Sequence, residues 1–86
     1  MINLIKEYIN KLDKGSVNTY LNNQGIHLNS NELDIIYNHL KNNWYTFLYE
    51  DDTPILNDIK EKLDNDNYLK LLNLYKKAKE KYSFYL

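Results

Sequence analysis

Apolar side chains recur every three to four positions in successive stretches of this chain, and each stretch ends in polar residues, Gly or Pro. That spacing is the repeat of a helix with one buried face. With 86 residues there is room for one hydrophobic core and no second domain. The expected architecture is an all-α bundle of four or five short helices, folded as a single domain over residues 1–86.

Ile2, Ile5, Tyr8, Ile9 and Leu12 share a stripe that predicts a helix over 2–13, stopped at Asp13-Lys14-Gly15. Ser16 is placed to cap a second helix of about two turns carrying Val17, Tyr20 and Leu21, and Gly25 stands where a left-handed residue closes a helix. The clearest start signal follows. Asn29 and Glu32 have the spacing of a capping box, and Leu28 and Leu33 that of a hydrophobic staple, so a third helix begins near Ser30.

The stripe of that third helix is Leu33, Ile36, Tyr37 and Leu40, and the same register runs on through Trp44, Phe47 and Leu48. Asn42-Asn43 are weak helix formers, and the aromatics of 44–49 favour strands, which predicts a break near Asn43. Two questions stay open at this point: whether 44–49 extends the helix or is an extended segment, and whether it is buried. Glu50 to Pro54 is a loop-to-helix junction, with Thr53 or Asp52 as the cap and Pro54 in the first turn. Ile55, Leu56, Ile59 and Leu63 define a fourth helix. Asp64-Asn65-Asp66 ends it and caps a fifth, whose stripe is Tyr68, Leu69, Leu72 and Tyr75, continuing to Ala78 and Tyr82.

Hydrophobic residues at 43% and charged residues at 27% are the mix of a folded domain. All eleven basic residues are Lys. The planar fork that Arg offers to phosphate, carboxylate or guanine is therefore missing. A net charge of −1 argues against indiscriminate binding to nucleic acid or an acidic membrane. The charge is uneven: acids crowd Glu50 to Asp66, lysines crowd the stretch after it, and the two can pair. No cysteine is present, which excludes disulfides, thiolate metal sites and Cys nucleophiles. The first residues lack the pattern of a signal peptide, and no stretch approaches the roughly 18 apolar residues of a membrane span. A cytoplasmic protein with no membrane partner is expected.

Chemistry finds little support. His27 and His39 lack a third ligand at matched spacing, so no metal is expected. Asp64, Asp66 and Tyr68 imitate the start of a calcium loop, but Leu69 and Tyr75 stand where Gly and Glu are required. The acids at 50–52 are explained by helix capping. Ser16, Ser30 and Ser83 have no nucleophile context, two glycines make no phosphate loop, and a domain this small offers little volume for a pocket. No catalytic residue, cofactor or enzymatic activity is expected.

Nine tyrosines and one tryptophan remain as the most distinctive feature. Trp44-Tyr45-Thr46-Phe47-Leu48-Tyr49 could stack on bases, but Glu50, Asp51 and Asp52 beside it repel phosphate. Core packing is the expected use of Trp44 and Phe47, with Tyr45 and Tyr49 half-exposed. Because Tyr and Trp are enriched at protein interfaces, Trp44, Tyr45, Phe47 and Tyr49 form the candidate contact patch for a protein partner or a second copy. The alternative is a small helical nucleic-acid binder using Lys70, Lys76, Lys77, Lys79 and Lys81 of the last helix. Those lysines also complement the negative end of the helix dipole.

The order Tyr20-Leu21, Gly25-Ile26-His27-Leu28, Glu32, Ile36 and Leu40, then the aromatic run and Ile55-Leu56-Asn57-Asp58-Ile59, resembles a family of short all-helical proteins of unknown function from low-GC Gram-positive bacteria. Members carry basic residues between the third helix and the aromatic run, where this chain has Lys41-Asn42-Asn43 with one. The resemblance implies an all-α fold over nearly the whole chain and carries over no functional residues. The helix, Gly-Ile turn and helix also resemble helix-extension-helix nucleic-acid modules. Those generally offer a basic face at the turn, where the local residues here are Asn22, Asn23, Gln24, Asn29 and Asn31.

Overall fold

The computed structural model of the chain describes residues 2–81 and contains helices α1 (Ile2–Lys11), α2 (Lys14–Asn23), α3 (Ser30–Tyr49), α4 (Thr53–Lys62) and α5 (Asn65–Lys81). No strand occurs among the described residues, and the all-α bundle is the fold. Its radius of gyration is 12.5 Å, close to the roughly 12 Å of a packed domain of this length. Tyr82, Ser83 and the side chain of Ile2 lie outside what the structure describes.

The helix boundaries follow from capping chemistry, with two corrections. The first helix stops at Lys11 because Asp13 turns to extended backbone and caps α2, its carboxylate accepting from the Ser16 backbone N–H at 2.8 Å and the Ser16 hydroxyl at 3.1 Å. Ser16, expected as the cap, lies inside the first turn, and an acid takes its place. Asp13 is consequently held below the ordinary carboxylate range, chiefly by the Ser16 backbone bond. At the other end Gly25 adopts φ 79°, the left-handed turn its position predicts.

The capping box forms as read. Asn29 Oδ1 accepts from Glu32 N–H at 2.9 Å, and Glu32 Oε1 accepts from Asn29 N–H at 3.0 Å. At the start of α4, Asp52 holds the N-cap position, one of the two residues expected there, but makes no side-chain cap bond; Asp51 supplies one instead, accepting from Thr53 N–H at 3.1 Å. Asp64 caps α5, its carboxylate lying 3.1 Å from Asp66 N and 3.4 Å from Asn67 N.

The interior has two joined clusters. Val17, Leu21 and Ile26 bury one side, and Ile36, Ile59, Leu63 and Tyr68 the other. Leu28, Leu40 and Leu71 touch both, so α3 and α5 run between them. Three stripe residues face solvent instead. Tyr8 and Tyr20 point outward because α1 and α2 each bury a narrow face, centred on Ile9 in one and on Val17 and Leu21 in the other. Leu69 is 51% exposed. It lies about 100° round the helix from Tyr68, and Leu71 and Leu74 take the inward positions.

Lys41 secures α1 to α3. Its ammonium donates to the carbonyls of Ile9, Asn10 and Leu12 at 2.9, 3.0 and 3.1 Å. The end of a helix leaves carbonyls short of backbone donors, and a cation there also opposes the negative end of the dipole; the Ile9 carbonyl accepts from Leu12 N–H at 3.1 Å as well.

Candidate functional site

Asn43 interrupts α3 as expected, and two helical segments meet across a kink at this residue. Its φ of −127° and ψ of 16° leave the helical region, yet helix resumes at Trp44 and carries the aromatic run to Tyr49. Asn42-Asn43 weakened the helix as expected, but packing of the aromatics on α4 and α5 kept the second half helical. The kink is tied across the bundle. The Asn43 amide meets His39 Nδ1 at 2.9 Å, His39 Nε2 meets Asp58 Oδ2 at 2.9 Å, and Lys62 Nζ sits 2.8 Å from Asp58 Oδ1. A neutral imidazole with its proton on Nε2 satisfies both neighbours, donating to Asp58 and accepting from Asn43. The Lys62 bond first, and the His39 bond second, hold the Asp58 carboxyl below its usual range.

Helical geometry divides the candidate patch into two pairs. Residues one turn apart share a face, so Trp44 and Phe47 turn inward with Leu48 while Tyr45 is exposed and the partly buried Tyr49 packs against it. Phe47 meets Tyr75 edge-on at 5.5 Å. Tyr45 is 46% exposed and packs tilted on Tyr49, ring centroids 4.9 Å apart, with Trp44 edge-on behind it at 5.9 Å.

Behind the inward pair lies an apolar cavity of about 240 Å³, open on one side. Ile36, Trp44, Phe47, Leu56, Ile59 and Leu71 supply much of its wall. Sequence reasoning did not anticipate a space of this size in so short a chain. It is bounded by residues of α1, α3, α4 and α5, which local spacing does not bring together.

Tyr75 closes one end of this region. Its hydroxyl lies 2.6 Å from Asp52 Oδ2 and 2.8 Å from the Phe47 carbonyl, one of the acceptors left over at the end of α3. The phenol has a single proton for these two acceptors, and Lys79 Nζ stands 3.3 Å from its oxygen. Burial first, and the Asp52 bond second, push the Tyr75 phenol well above its ordinary pKa.

The five candidate lysines do not form one face. Lys79 is bound to Asp52 at 3.4 Å, so acidic and basic stretches do meet there. Lys70 and Lys77 share a shallow concavity of about 160 Å³ with Gln24, Ile26 and Asn73, beside the Gly25 turn. Lys76 is exposed, and Lys81 ends α5. Among the described residues no three His, Cys, Asp or Glu side chains gather to hold a metal ion, and no helix is long and apolar enough to cross a membrane. His27 lies 2.8 Å from the Asn22 side-chain oxygen.

No family model, curated protein or solved structure matches this chain.

Glu32, His39 and Asp58 as tertiary partners, and the bond of Asp52 to Tyr75, escaped the sequence reading. Each bonds to a residue at least 19 positions away. Local spacing carries no record of such pairs. The one available signal was Glu32, already marked by its place in the capping box.

Proposed function

We propose that this chain is a non-enzymatic interaction module of a bacterial cytoplasm, contacting a protein partner or a second copy of itself through the second half of α3. The observation that carries this reading is the exposed Tyr45, packed tilted on the partly buried Tyr49 with Trp44 edge-on behind it. Rigid aromatics bury much area at little conformational cost, which is why Tyr and Trp dominate binding hot spots. Leu4 and Tyr8, one turn apart on α1, add two more exposed apolar side chains. Two titratable groups in the cavity wall are committed to structural bonds, His39 to Asp58 and Asn43 and Tyr75 to Asp52. That supports a binding role over a catalytic one.

The test is light scattering after gel filtration over a range of concentrations, with recovery of partners by tagged protein, comparing wild type with Tyr45→Ala and Tyr49→Ala. Mass or partner recovery that falls in both variants supports the proposal. A strict monomer with unchanged partner recovery removes it.

A second reading draws on Lys70 and Lys77, which stand beside the Gly25 turn together with Gln24 and Asn73. Two cations and two amides at one turn suit contact with a nucleic-acid backbone. Binding that weakens with salt, with a slope reduced in Lys70→Gln/Lys77→Gln, supports it. Absence of binding at low salt ends it.

A further inference from the structure

The apolar cavity behind Trp44 and Phe47 is a separate feature from the Tyr45–Tyr49 pair. Its deeper wall is core: Ile36, Ile59 and Tyr68 are all buried, so the space reaches into the middle of the bundle. Protein interiors are packed nearly as densely as organic crystals, and side chains facing a void lose their dispersion partners. A space of this size in so short a chain thus leaves a large part of the core's contact surface unused.

Its chemistry is restrictive. Four wall residues carry polar side-chain atoms, His39, Trp44, Tyr68 and Tyr75, but the surface they turn to the space is apolar, and His39 and Tyr75 are engaged elsewhere. His39 uses Nε2 on Asp58 and Nδ1 on Asn43, and Tyr75 uses its hydroxyl on Asp52 and the Phe47 carbonyl. Among the described residues no buried side-chain nitrogen or oxygen lacks a partner. A carboxylate, phosphate or sugar in this space would lose its hydration and find no replacement. Water needs two to four polar neighbours to stay in a cavity, and this one does not offer them.

Size narrows the ligand further. An engineered apolar cavity of about 150 Å³ takes benzene, and this one holds about 240 Å³. The difference admits a second fused ring. Trp44, Phe47, Tyr68 and Tyr75 in the wall offer ring faces and edges that pair with an aromatic guest in tilted or edge-on geometry.

We propose that this cavity is a binding site for a small, uncharged aromatic molecule of one or two fused rings. The proposal is independent of the role assigned to Tyr45 and Tyr49. To test it, the full chain is titrated with indole and naphthalene, and with indole-3-acetate and 1-naphthoate as charged counterparts of the same rings. Methyl resonances of Ile36, Leu56, Ile59 and Leu71 report binding at the cavity, and the thermal midpoint reports stabilisation of the fold.

The expected result is saturable shifts concentrated on those four residues and a midpoint that rises with indole or naphthalene. The charged counterparts should bind at least tenfold more weakly. Filling the space with Leu56→Phe or Leu48→Phe should weaken binding at least tenfold. Should either variant fail to fold, site mapping and the neutral-to-charged comparison on wild type decide the matter. Shifts that do not saturate, that spread over the surface, or that are equal for neutral and charged rings overturn the proposal. So does a folded Phe variant that binds as well as wild type. An amphipathic peptide with one central Trp that binds more than tenfold better than free indole would assign the space to a partner's side chain and overturn it too. Because Tyr45→Ala and Tyr49→Ala leave the cavity wall intact, loss of self-association in those variants with ring binding retained separates the two proposals.

Discussion

Glu32 accepts a hydrogen bond from the Asp64 backbone N–H at 2.8 Å, although 32 positions separate them. Glu32 is the buried charged side chain of the described residues, 4% exposed. Among the described residues no ion pair engages it; it is surrounded instead by donors, from Asn29 N–H at 3.0 Å, Asp64 N–H and the Asn67 amide at 3.0 Å. One carboxylate therefore starts α3 and also pins the turn between α4 and α5 against it. A buried anion is tolerable when several N–H groups replace its water.

Glu32→Ala removes the acceptor for all three donors at once. We expect a loss of about 2–3 kcal/mol, from the bonds themselves and from donors left without partners. Glu32→Gln, which retains one acceptor oxygen, should lose less. Urea denaturation followed by circular dichroism measures both. Equal stability of Glu32→Ala and wild type would show that the clamp contributes nothing.

Tyr75→Phe tests the hydroxyl between α3 and the α3–α4 connection. Removing it frees the Phe47 carbonyl and Asp52 and should cost about 1–2 kcal/mol. The alkaline limb has a defined sign. Folding raises the phenol's pKa, so its contribution is complete below the unfolded value near 10 and disappears as pH climbs from there through the folded value. Ultraviolet titration should show a late component that ionises only as the fold is lost, and Tyr75→Phe should diminish it.

At the acid end the sign reverses. The Asp58 carboxyl is depressed by Lys62 and then His39, so its contribution is present above the unfolded pKa near 4 and is lost as pH falls through the folded value. Asp13 and Asp51 act in the same direction through their caps, to Ser16 and Thr53. Urea midpoints should fall between pH 5 and pH 2. In Asp58→Asn that fall should be shallower. An unchanged acid slope in Asp58→Asn would remove Asp58 from the account.

Leu71 and Leu69, two positions apart on α5, should respond oppositely. Leu71 touches both core clusters, so Leu71→Ala should cost about 2–4 kcal/mol. Leu69→Gln exchanges an exposed side chain and should change stability by less than about 0.5 kcal/mol. Thermal and urea melts of the two variants check the assignment of the inward face.

The helices themselves were legible in the amino-acid order, since capping and periodicity act over three or four residues. The Asn29–Glu32 box, the left-handed Gly25, the Asp64 cap and five apolar stripes all obey rules a single helix can state. Much of the candidate site was legible as composition, in the aromatic run, but not as geometry. Whether Asn43 breaks or bends α3 depends on what Trp44 and Phe47 pack against. The same holds for which of Tyr8, Tyr20 and Leu69 stay outside, since a stripe names candidates and neighbouring helices choose among them.

The long-range bonds lay beyond sequence reasoning altogether. His39 with Asp58, Tyr75 with Asp52, Lys41 with the end of α1 and Glu32 with Asp64 join residues from different helices. The apolar cavity has the same origin, being bounded by residues of α1, α3, α4 and α5. Order along the chain determined an all-helical protein, because helix signals are local. Docking of the helices decided the clamp, the exposure of Tyr45 and the apolar space open on one side, because distances between helices exist only once they have packed.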